Sequence, residues 1–198
     1  FESLKRFKKS GGRMISFGIE TATDEGLKVL RKGSKLKQNI QALEWCRKLG
    51  IVSVADYMIG LPHEKSEADV LNSLQVLIKQ YKPDYAQFGI LSLYPNTEVY
   101  DQAVEKKLID GNKWNDWALD PLKKELIVDH WNEFIPTIEL IKLQKMAYKK
   151  FYFRPSIILK EILSVRSFHQ FKTKFFGAIK VIEVKNMFNE RHRQHVNQ

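Results

Sequence analysis

The sequence contains a single cysteine, Cys46, among its 198 residues. One cysteine permits no internal disulfide and cannot build a cysteine-ligated metal site, and its place in a helical pattern predicts a buried helix residue. No apolar run approaches the ~20 residues needed to cross a bilayer, and no signal peptide is evident. These absences exclude a disulfide scaffold and a membrane-spanning protein, and they favour the reducing cytoplasm.

The charge is strongly of one sign and unevenly placed along the chain. The net charge is +10, and most of it lies after about residue 120. A hydrophobic fraction of 43% with 12% aromatic residues excludes a disordered composition. We expect residues 1–110 to form a folded α/β part, residues 111–135 to form a loop that closes it, and residues 136–198 to form a basic helical extension.

The first part alternates strand and helix signals, which is typical of βα units on a parallel sheet. Three such units are predicted, with strands near residues 13–20, 51–60 and 85–93. Ser66 and Thr97 can cap the helices that follow the second and third strands, and Gly50 can end the helix before the second. The predicted architecture is therefore a parallel sheet or barrel covered by helices.

Two acids lie on one predicted face of neighbouring strands. Alternation puts Ser16, Gly18 and Glu20 on one face of the first strand, and Asp56 and Met58 on one face of the second. Parallel α/β proteins bind ligands at the carboxyl ends of their strands. There a carboxylate can act as acid or base, bind a metal, or accept hydrogen bonds from a diol. The simpler alternative is a salt bridge for Asp56 and solvent exposure for Glu20.

Three motifs in order carry a resemblance to a known family. They read "SFGIETATDEGLKVLRKG", "NIQALEWCRKLGIVSVADYMIGLPHEKSEAD" and "PDYAQFGILSLYPNTEVYDQA". Over about residues 12–108 the chain resembles the second half of the catalytic barrel of radical S-adenosylmethionine enzymes. It is most similar to the branch with an N-terminal cobalamin-binding domain, which includes the anaerobic magnesium-protoporphyrin monomethyl ester cyclase and many methyltransferases. The resemblance implies an α/β fold with three βα units of a partial (β/α)6 TIM-like barrel.

The resemblance assigns cofactor-binding roles to five residues and a catalytic role to none. Glu20 and Asp56 correspond to positions that bond the ribose of S-adenosylmethionine, and Lys32 corresponds to a position that holds its methionine carboxylate. Met58 and Leu91 occupy places that border the adenine. The simpler alternatives are that Lys32 is a solvated lysine at a helix end and that Met58 and Leu91 pack in the core. In "YPNT", Asn96 replaces the family's usual glycine, and asparagine tolerates the left-handed backbone conformation expected there.

The resemblance also implies a [4Fe-4S] cluster that this sequence cannot ligate. The family's cluster is held by three cysteines spaced C-x3-C-x2-C, and Cys46 is the only cysteine. Since the sequence begins with Phe1 inside a helical pattern, we expect a C-terminal fragment whose cluster ligands lie upstream. The implied reaction is reductive cleavage of S-adenosylmethionine for methyl transfer or oxidative cyclisation of a small molecule. Whether cobalamin takes part stays open.

The basic extension leaves a competing hypothesis. Residues 167–182 place aromatic and aliphatic side chains on one helical face, with lysines mostly elsewhere. Such a helix can dock on the barrel, lie on an anionic membrane surface or bind nucleic acid. The alternative function is a non-catalytic α/β module whose basic helical tail binds a membrane surface or nucleic acid. Trp114 and Trp117, in the predicted loop, either pack over the barrel or line a substrate mouth.

Overall fold

A computed structural model describes residues 1–121, 126–163 and Lys172. The chain divides into two compact units, Phe1–Gln144 and Lys145–Gln198. Apart from Lys172, the predicted amphipathic segment 167–182 lies outside the described residues. Within the described ranges, no helix is long and apolar enough to span a membrane.

The first unit is built from three strands and the helices that connect them. In chain order, its elements are α1 (Glu2–Lys9), β1 (Met14–Glu20), α2 (Asp24–Val29), α3 (Leu36–Leu49), β2 (Val52–Ile59), α4 (Glu67–Val76) with a π-helical extension (Leu77–Tyr81), β3 (Tyr85–Ile90), α5 (Glu98–Glu105) and α6 (Lys113–Leu119). Helix α7 (Thr137–Tyr152) begins in this unit, and α8 (Pro155–Leu163) belongs to the second.

The three strands form one parallel sheet in the order β1-β2-β3. This confirms the predicted α/β class with a three-stranded parallel sheet. In the register, Gly18 lies opposite Asp56, and Asp56 lies opposite Gln87. An irregularity between Gly18 and Glu20 interrupts the pairing of β1 with β2. Gly18, Asp56 and Gln87 therefore lie side by side across the sheet.

The two faces of the sheet differ in burial as the alternation predicts. In β2, Ser53, Ala55, Tyr57 and Ile59 are buried, whereas the residues between them are partly exposed. The hydroxyl groups of Tyr57 and Ser73 form a buried hydrogen bond of 2.5 Å, so α4 packs on the buried face. On the other face of β1, Ser16 and Gly18 are exposed. We call this second face the open face of the sheet.

The helix boundaries confirm the predicted capping residues. Ser66 and Thr97 are the N-caps of α4 and α5, and each side chain accepts a backbone hydrogen bond at 3.3 Å. Gly50 ends α3 in the left-handed conformation with a φ of 62°. Asn96 has a φ of 63°, so it adopts the left-handed conformation expected of it. Helix α8 starts at Pro155, where proline suits the first turn of a helix.

Two predicted features differ in the structure. Strand β3 ends at Ile90, because the next residues turn to a different partner: Leu93 N donates to Asp129 O at 2.9 Å, and Ser92 forms an antiparallel bridge with His130. The predicted loop of residues 111–135 contains helix α6. Trp114 of this helix packs against a buried apolar cluster, and burial of such a side chain stabilises a short helix.

Candidate functional site

Glu20 lies at the carboxyl end of β1 in an unusual backbone conformation. Its φ is 61°, and Thr21 N donates to Ile19 O at 2.7 Å across it, which is the pattern of a γ-turn. This turn produces the irregularity in the sheet and folds the side chain back over Gly18. A Cβ atom on Gly18 would lie 2.6 Å from Glu20 Oε1. The glycine therefore makes room for the carboxylate on the open face.

Lys32 is the basic partner of Glu20. Its Nζ donates to Glu20 Oε1 at 3.1 Å, with side-chain exposures of 34% for the lysine and 16% for the glutamate. The lysine follows α2, where Lys32 N donates to Leu27 O at 3.1 Å. A partly exposed ion pair contributes about 0–1 kcal/mol to stability. A ligand that carries its own carboxylate and hydroxyl groups can therefore replace this ion pair with little loss of stability.

Asp56 lies in β2 on the open face, one strand away from Glu20. Its Oδ2 accepts a hydrogen bond from Ser16 Oγ at 2.7 Å. Sequence reasoning put Ser16 on this face but gave it no role. The parallel register shows why the two meet: Asp56 is opposite Gly18, and Ser16 is two residues earlier on the same face of β1. Ser16 thus orients the carboxylate of Asp56.

The two carboxylates and the lysine surround Gly18: this residue pairs with Asp56 across the sheet, and a Cβ atom on it would lie 2.6 Å from Glu20 Oε1 and 3.3 Å from Lys32 Nζ. Glu20 and Asp56 each use one oxygen, towards Lys32 and Ser16 respectively. Within the part of the chain that the structure describes, the second oxygen of each carboxylate has no hydrogen-bond partner. Two carboxylates with available acceptor oxygens can receive the donors of a vicinal diol, and an ammonium beside them can bind a ligand carboxylate.

Met58 and Leu91 meet at an apolar cluster next to these polar groups. Leu91 is buried in it, and Met58 packs against it from β2. The buried members of the cluster are Leu61, Leu91, Leu93, Tyr100, Ala103 and Trp131. Leu91 N donates to Ile59 O at 2.9 Å, which holds the end of β3 against β2. Core packing is therefore observed for both residues, and contact with an adenine stays a prediction.

Glu64, in "GLPHE", is a buried acid near the open face that sequence reasoning missed. It is 3% exposed, and its Oε2 accepts from Gly60 N at 2.8 Å and from Leu61 N at 2.9 Å. Its Oε1 is buried with no partner among the described residues. Burial raises the pKa of Glu64 to about 7, against the opposing effect of the two backbone hydrogen bonds. The signal in the sequence was an acid placed directly after the strand-ending turn.

His63 is the neighbouring residue that could have assisted the acids. Its Nε2 instead lies 3.5 Å from Thr23 Oγ1, and its ring covers Gly26, where a Cβ atom would lie 2.6 Å away. Burial lowers the pKa of His63, which favours the neutral imidazole. The ring therefore packs the second strand's turn against α2 and pairs with neither Glu20 nor Asp56 among the described contacts.

The described residues do not fit an iron–sulfur cluster. Cys46 is fully buried in α3, as predicted, and burial raises the pKa of its thiol. Throughout the described ranges, no group of three or more His, Cys, Asp and Glu side chains could hold a metal ion. The open face offers carboxylates, an ammonium and a hydroxyl instead, which suit an organic ligand with a diol and a carboxylate.

Comparison with known proteins gives a family match and several relatives. The model of the Radical SAM superfamily matches residues 1–75. An uncharacterized methyltransferase of Pyrococcus horikoshii is 30% identical over 165 residues, which is 83% of this chain and 34% of the relative. The anaerobic magnesium-protoporphyrin IX monomethyl ester cyclase of Rubrivivax gelatinosus is 24% identical over 78% of this chain and 26% of the relative.

A third relative is the heme chaperone HemW of Buchnera aphidicola, which is 32% identical over 58% of this chain and 32% of the relative. The chain thus spans about a third or less of the length of these relatives. The family match covers β1, β2 and the turn that holds Glu64, so it includes both carboxylates of the open face. On these matches, the chain is similar to the Radical SAM superfamily over its first 75 residues.

Proposed function

We propose that this chain forms the S-adenosylmethionine-binding half of a radical S-adenosylmethionine enzyme. Glu20 and Asp56 accept hydrogen bonds from the ribose hydroxyls, Lys32 binds the methionine carboxylate, and Met58 and Leu91 border the adenine. When bound, S-adenosylmethionine supplies the sulfonium that a one-electron reductant cleaves. The residues of this chain bind and orient the cofactor, which keeps its reactive bond beside the substrate.

The observation that carries the proposal is the arrangement on the open face. Gly18 has no side chain, and it lies beside both Asp56 in the register and the carboxylate of Glu20. Lys32 adds a positive charge at 3.1 Å from Glu20. Two acceptor groups, one donor group and an adjoining apolar cluster match, in kind, the ribose, the carboxylate and the adenine of one ligand.

The finer parts of this proposal concern cofactors and architecture that lie beyond these residues. The match to the Radical SAM superfamily implies a [4Fe-4S] cluster, and since Cys46 is the only cysteine of the chain, the ligands of that cluster belong outside this sequence. In this proposal the three βα units are part of a (β/α)6 TIM-like barrel. The relatives named as a methyltransferase and a cyclase support methyl transfer or oxidative cyclisation of a small molecule as the reaction, with cobalamin a candidate partner in the former.

No described feature favours the competing membrane or nucleic-acid module. The amphipathic segment 167–182 that motivated it lies outside the described residues, except for Lys172. The acids that it treats as structural are instead grouped on an open sheet face with available oxygens. The cofactor-binding reading is therefore the better supported of the two.

The test is the affinity of the protein for S-adenosylmethionine, measured by isothermal titration calorimetry. Asp56→Asn keeps the shape and one acceptor but removes the charge, and charge-assisted hydrogen bonds are about twice as strong as neutral ones. We expect its dissociation constant to rise about tenfold, which corresponds to about 1.4 kcal/mol.

The matched control is Glu98→Gln, which neutralises an acid whose ion pair with Arg31 is exposed. It removes the same charge without touching the open face, and its affinity should stay that of the wild type. Equal affinities for Asp56→Asn and the wild type would overturn the ribose assignment. A wild-type protein that does not bind S-adenosylmethionine would overturn the proposed function as a whole.

A further inference from the structure

We propose that helix α8 is a membrane-surface contact: its exposed apolar face lies against a bilayer that contains anionic phospholipids, with lysine side chains of the same unit at the headgroups. The inference concerns the second compact unit and does not depend on the proposed function. It adds a partner to the chain and assigns α8 no contact with the cofactor.

Helix α8 is apolar on two opposite sides. Ile157 lies on the buried side and is 9% exposed. The other side carries four aliphatic residues whose exposed fractions run from 43% to 75%: Ile158, Leu159, Ile162 and Leu163. At about 100° per residue, these four form one continuous arc centred opposite Ile157. The outward side of a helix in a globular domain is ordinarily polar, so this aliphatic arc indicates a contact surface.

The turn before α8 is held by side-chain contacts and carries further exposed groups. Arg154 Nε donates to Phe151 O at 2.7 Å, and the Arg154 guanidinium lies 4.2 Å from the centroid of the Phe151 ring. Phe153 is 50% exposed in this turn, and Lys149 and Lys150 are exposed near the end of α7. Aliphatic and aromatic side chains accompanied by lysines are the composition of a helix that lies in a membrane interface.

The charge of the second unit favours an anionic surface as the occupant of the arc. Residues 145–198 contain twelve Lys and Arg residues against three Asp and Glu residues. Two copies of so basic a unit repel each other, which disfavours self-association through α8. A bilayer with anionic headgroups attracts each lysine or arginine that comes near its surface, while its acyl chains accept the aliphatic side chains.

The length and chemistry of α8 fit the bilayer surface better than they fit the alternatives. The helix covers only Pro155–Leu163, far short of the ~20 residues that cross a bilayer, so it can lie on a membrane but not span it. Aliphatic side chains offer bases no ring to stack on, so nucleic acid would leave the arc exposed. The sequence continues the pattern: residues 167–182, which lie outside the described residues apart from Lys172, are the predicted amphipathic segment.

Membrane contact through α8 is compatible with cofactor binding. Glu20, Lys32 and Asp56 all belong to the first unit, whereas α8 belongs to the second. The exposed arc therefore does not favour the non-catalytic module, which requires the acids of the open face to be structural.

The first test is sedimentation of the full chain with sucrose-loaded vesicles of two compositions, phosphatidylcholine alone and phosphatidylcholine mixed with phosphatidylglycerol. We expect binding to the mixed vesicles at low salt, weaker binding at high salt because the attraction is screened, and little binding to phosphatidylcholine alone. No binding to the mixed vesicles at low salt would overturn the proposal. A chain that binds a duplex oligonucleotide but not these vesicles would overturn it too, and would assign the basic charge to nucleic acid.

A double substitution separates the apolar arc from the charge. Leu159→Gln with Ile162→Gln keeps every charge, and both positions are exposed, so we expect the fold to be retained. The partition coefficient into mixed vesicles should fall about tenfold, because two aliphatic side chains no longer enter the bilayer. The matched control is Ile127→Gln with Ile138→Gln, two exposed aliphatic positions of the first unit, which should bind as the wild type does. Equal partition of the first double variant and the wild type would contradict the proposed role of the arc.

A fluorescent label gives a second readout that needs no double variant. Because Cys46 is fully buried, Leu159→Cys can be labelled selectively with a nitrobenzoxadiazole group. Its emission should rise when mixed vesicles are added, since the group enters an apolar medium, whereas the same label on Ile138→Cys should not respond. A silent label at position 159 on a chain that sediments with the vesicles would overturn the proposal. So would an emission that rises with protein concentration in the absence of vesicles, because it would assign the arc to a second copy of the chain.

Discussion

The buried carboxylate of Glu64 should make the stability of the protein depend on pH in a direction opposite to that of most acids. Burial raises its pKa from 4.5 to about 7. The folded protein therefore binds a proton to this group more tightly than the unfolded chain does. The contribution to the free energy of unfolding is then greatest below pH 4.5, and it is lost as the pH rises through about 7.

The size of the effect follows from the same shift. Each pKa unit corresponds to about 1.4 kcal/mol, so a change from 4.5 to about 7 is on the order of 3 kcal/mol between acid and alkaline pH. Glu64→Gln removes the titrating group and keeps an oxygen for the N–H groups of Gly60 and Leu61. The variant should lose this part of the pH dependence, and above pH 8 it should be at least as stable as the wild type.

The assay is urea denaturation of both proteins at pH 5 and pH 8, followed by circular dichroism. Other groups also titrate in this range, so the informative quantity is the difference between the two proteins at each pH. We expect the Gln variant to gain on the wild type by about 3 kcal/mol on going from pH 5 to pH 8. A difference that stays constant between the two pH values would refute the reasoning, because it would mean that Glu64 keeps one protonation state throughout.

Two further predictions concern the backbone and the buried face. A left-handed backbone conformation costs a non-glycine residue about 1 kcal/mol, and Glu20→Gly removes this cost. The free energy of unfolding should therefore not fall, whereas the affinity for S-adenosylmethionine should fall. Lys82→Gly, at a φ of 49°, is the control that should leave the affinity unchanged. A large loss of stability in Glu20→Gly would show that its side chain is structural. Ser73→Ala removes the hydrogen bond to the buried hydroxyl of Tyr57 and the acceptor of Ala22 N, and it should cost about 1–3 kcal/mol by urea denaturation. Adding Tyr57→Phe should recover part of that loss, and additive losses would argue against the bond between Tyr57 and Ser73.

Local signals in the sequence were sufficient for the main elements of the first unit. Alternation along β2 identified which side chains share a face, and Ser66, Thr97 and Gly50 marked helix boundaries that the structure confirms. The parallel arrangement then brought Glu20 and Asp56 to neighbouring strands. Each of these inferences depends on residues that are close in sequence or on the fixed geometry of a βα unit.

The features that were missed depend on distant parts of the chain. An acid in a turn such as that of Glu64 is ordinarily solvated, and its burial becomes apparent only when Leu140 is seen to pack against Gly60. The early end of β3 likewise depends on pairing between Ser92 and His130. Contacts of this range have no periodic signature in the sequence, so patterns of alternation and capping could not predict them.

Glu20 and Glu64 have an unfavourable feature in common, and both lie at the carboxyl ends of adjacent strands. Glu20 occupies a backbone conformation that glycine would adopt more easily, and Glu64 places a carboxylate oxygen in the interior with no partner among the described residues. A protein selected for stability alone would have reason to replace both. Each unfavourable feature has a local role. The backbone of Glu20 turns its carboxylate onto the open face, and Glu64 binds two backbone N–H groups beside the predicted adenine site. Similar departures occur elsewhere, at Lys82 and Lys107 for the backbone and at Trp131 for a buried polar atom, so it is the position of Glu20 and Glu64 beside the open face that supports a functional role for them.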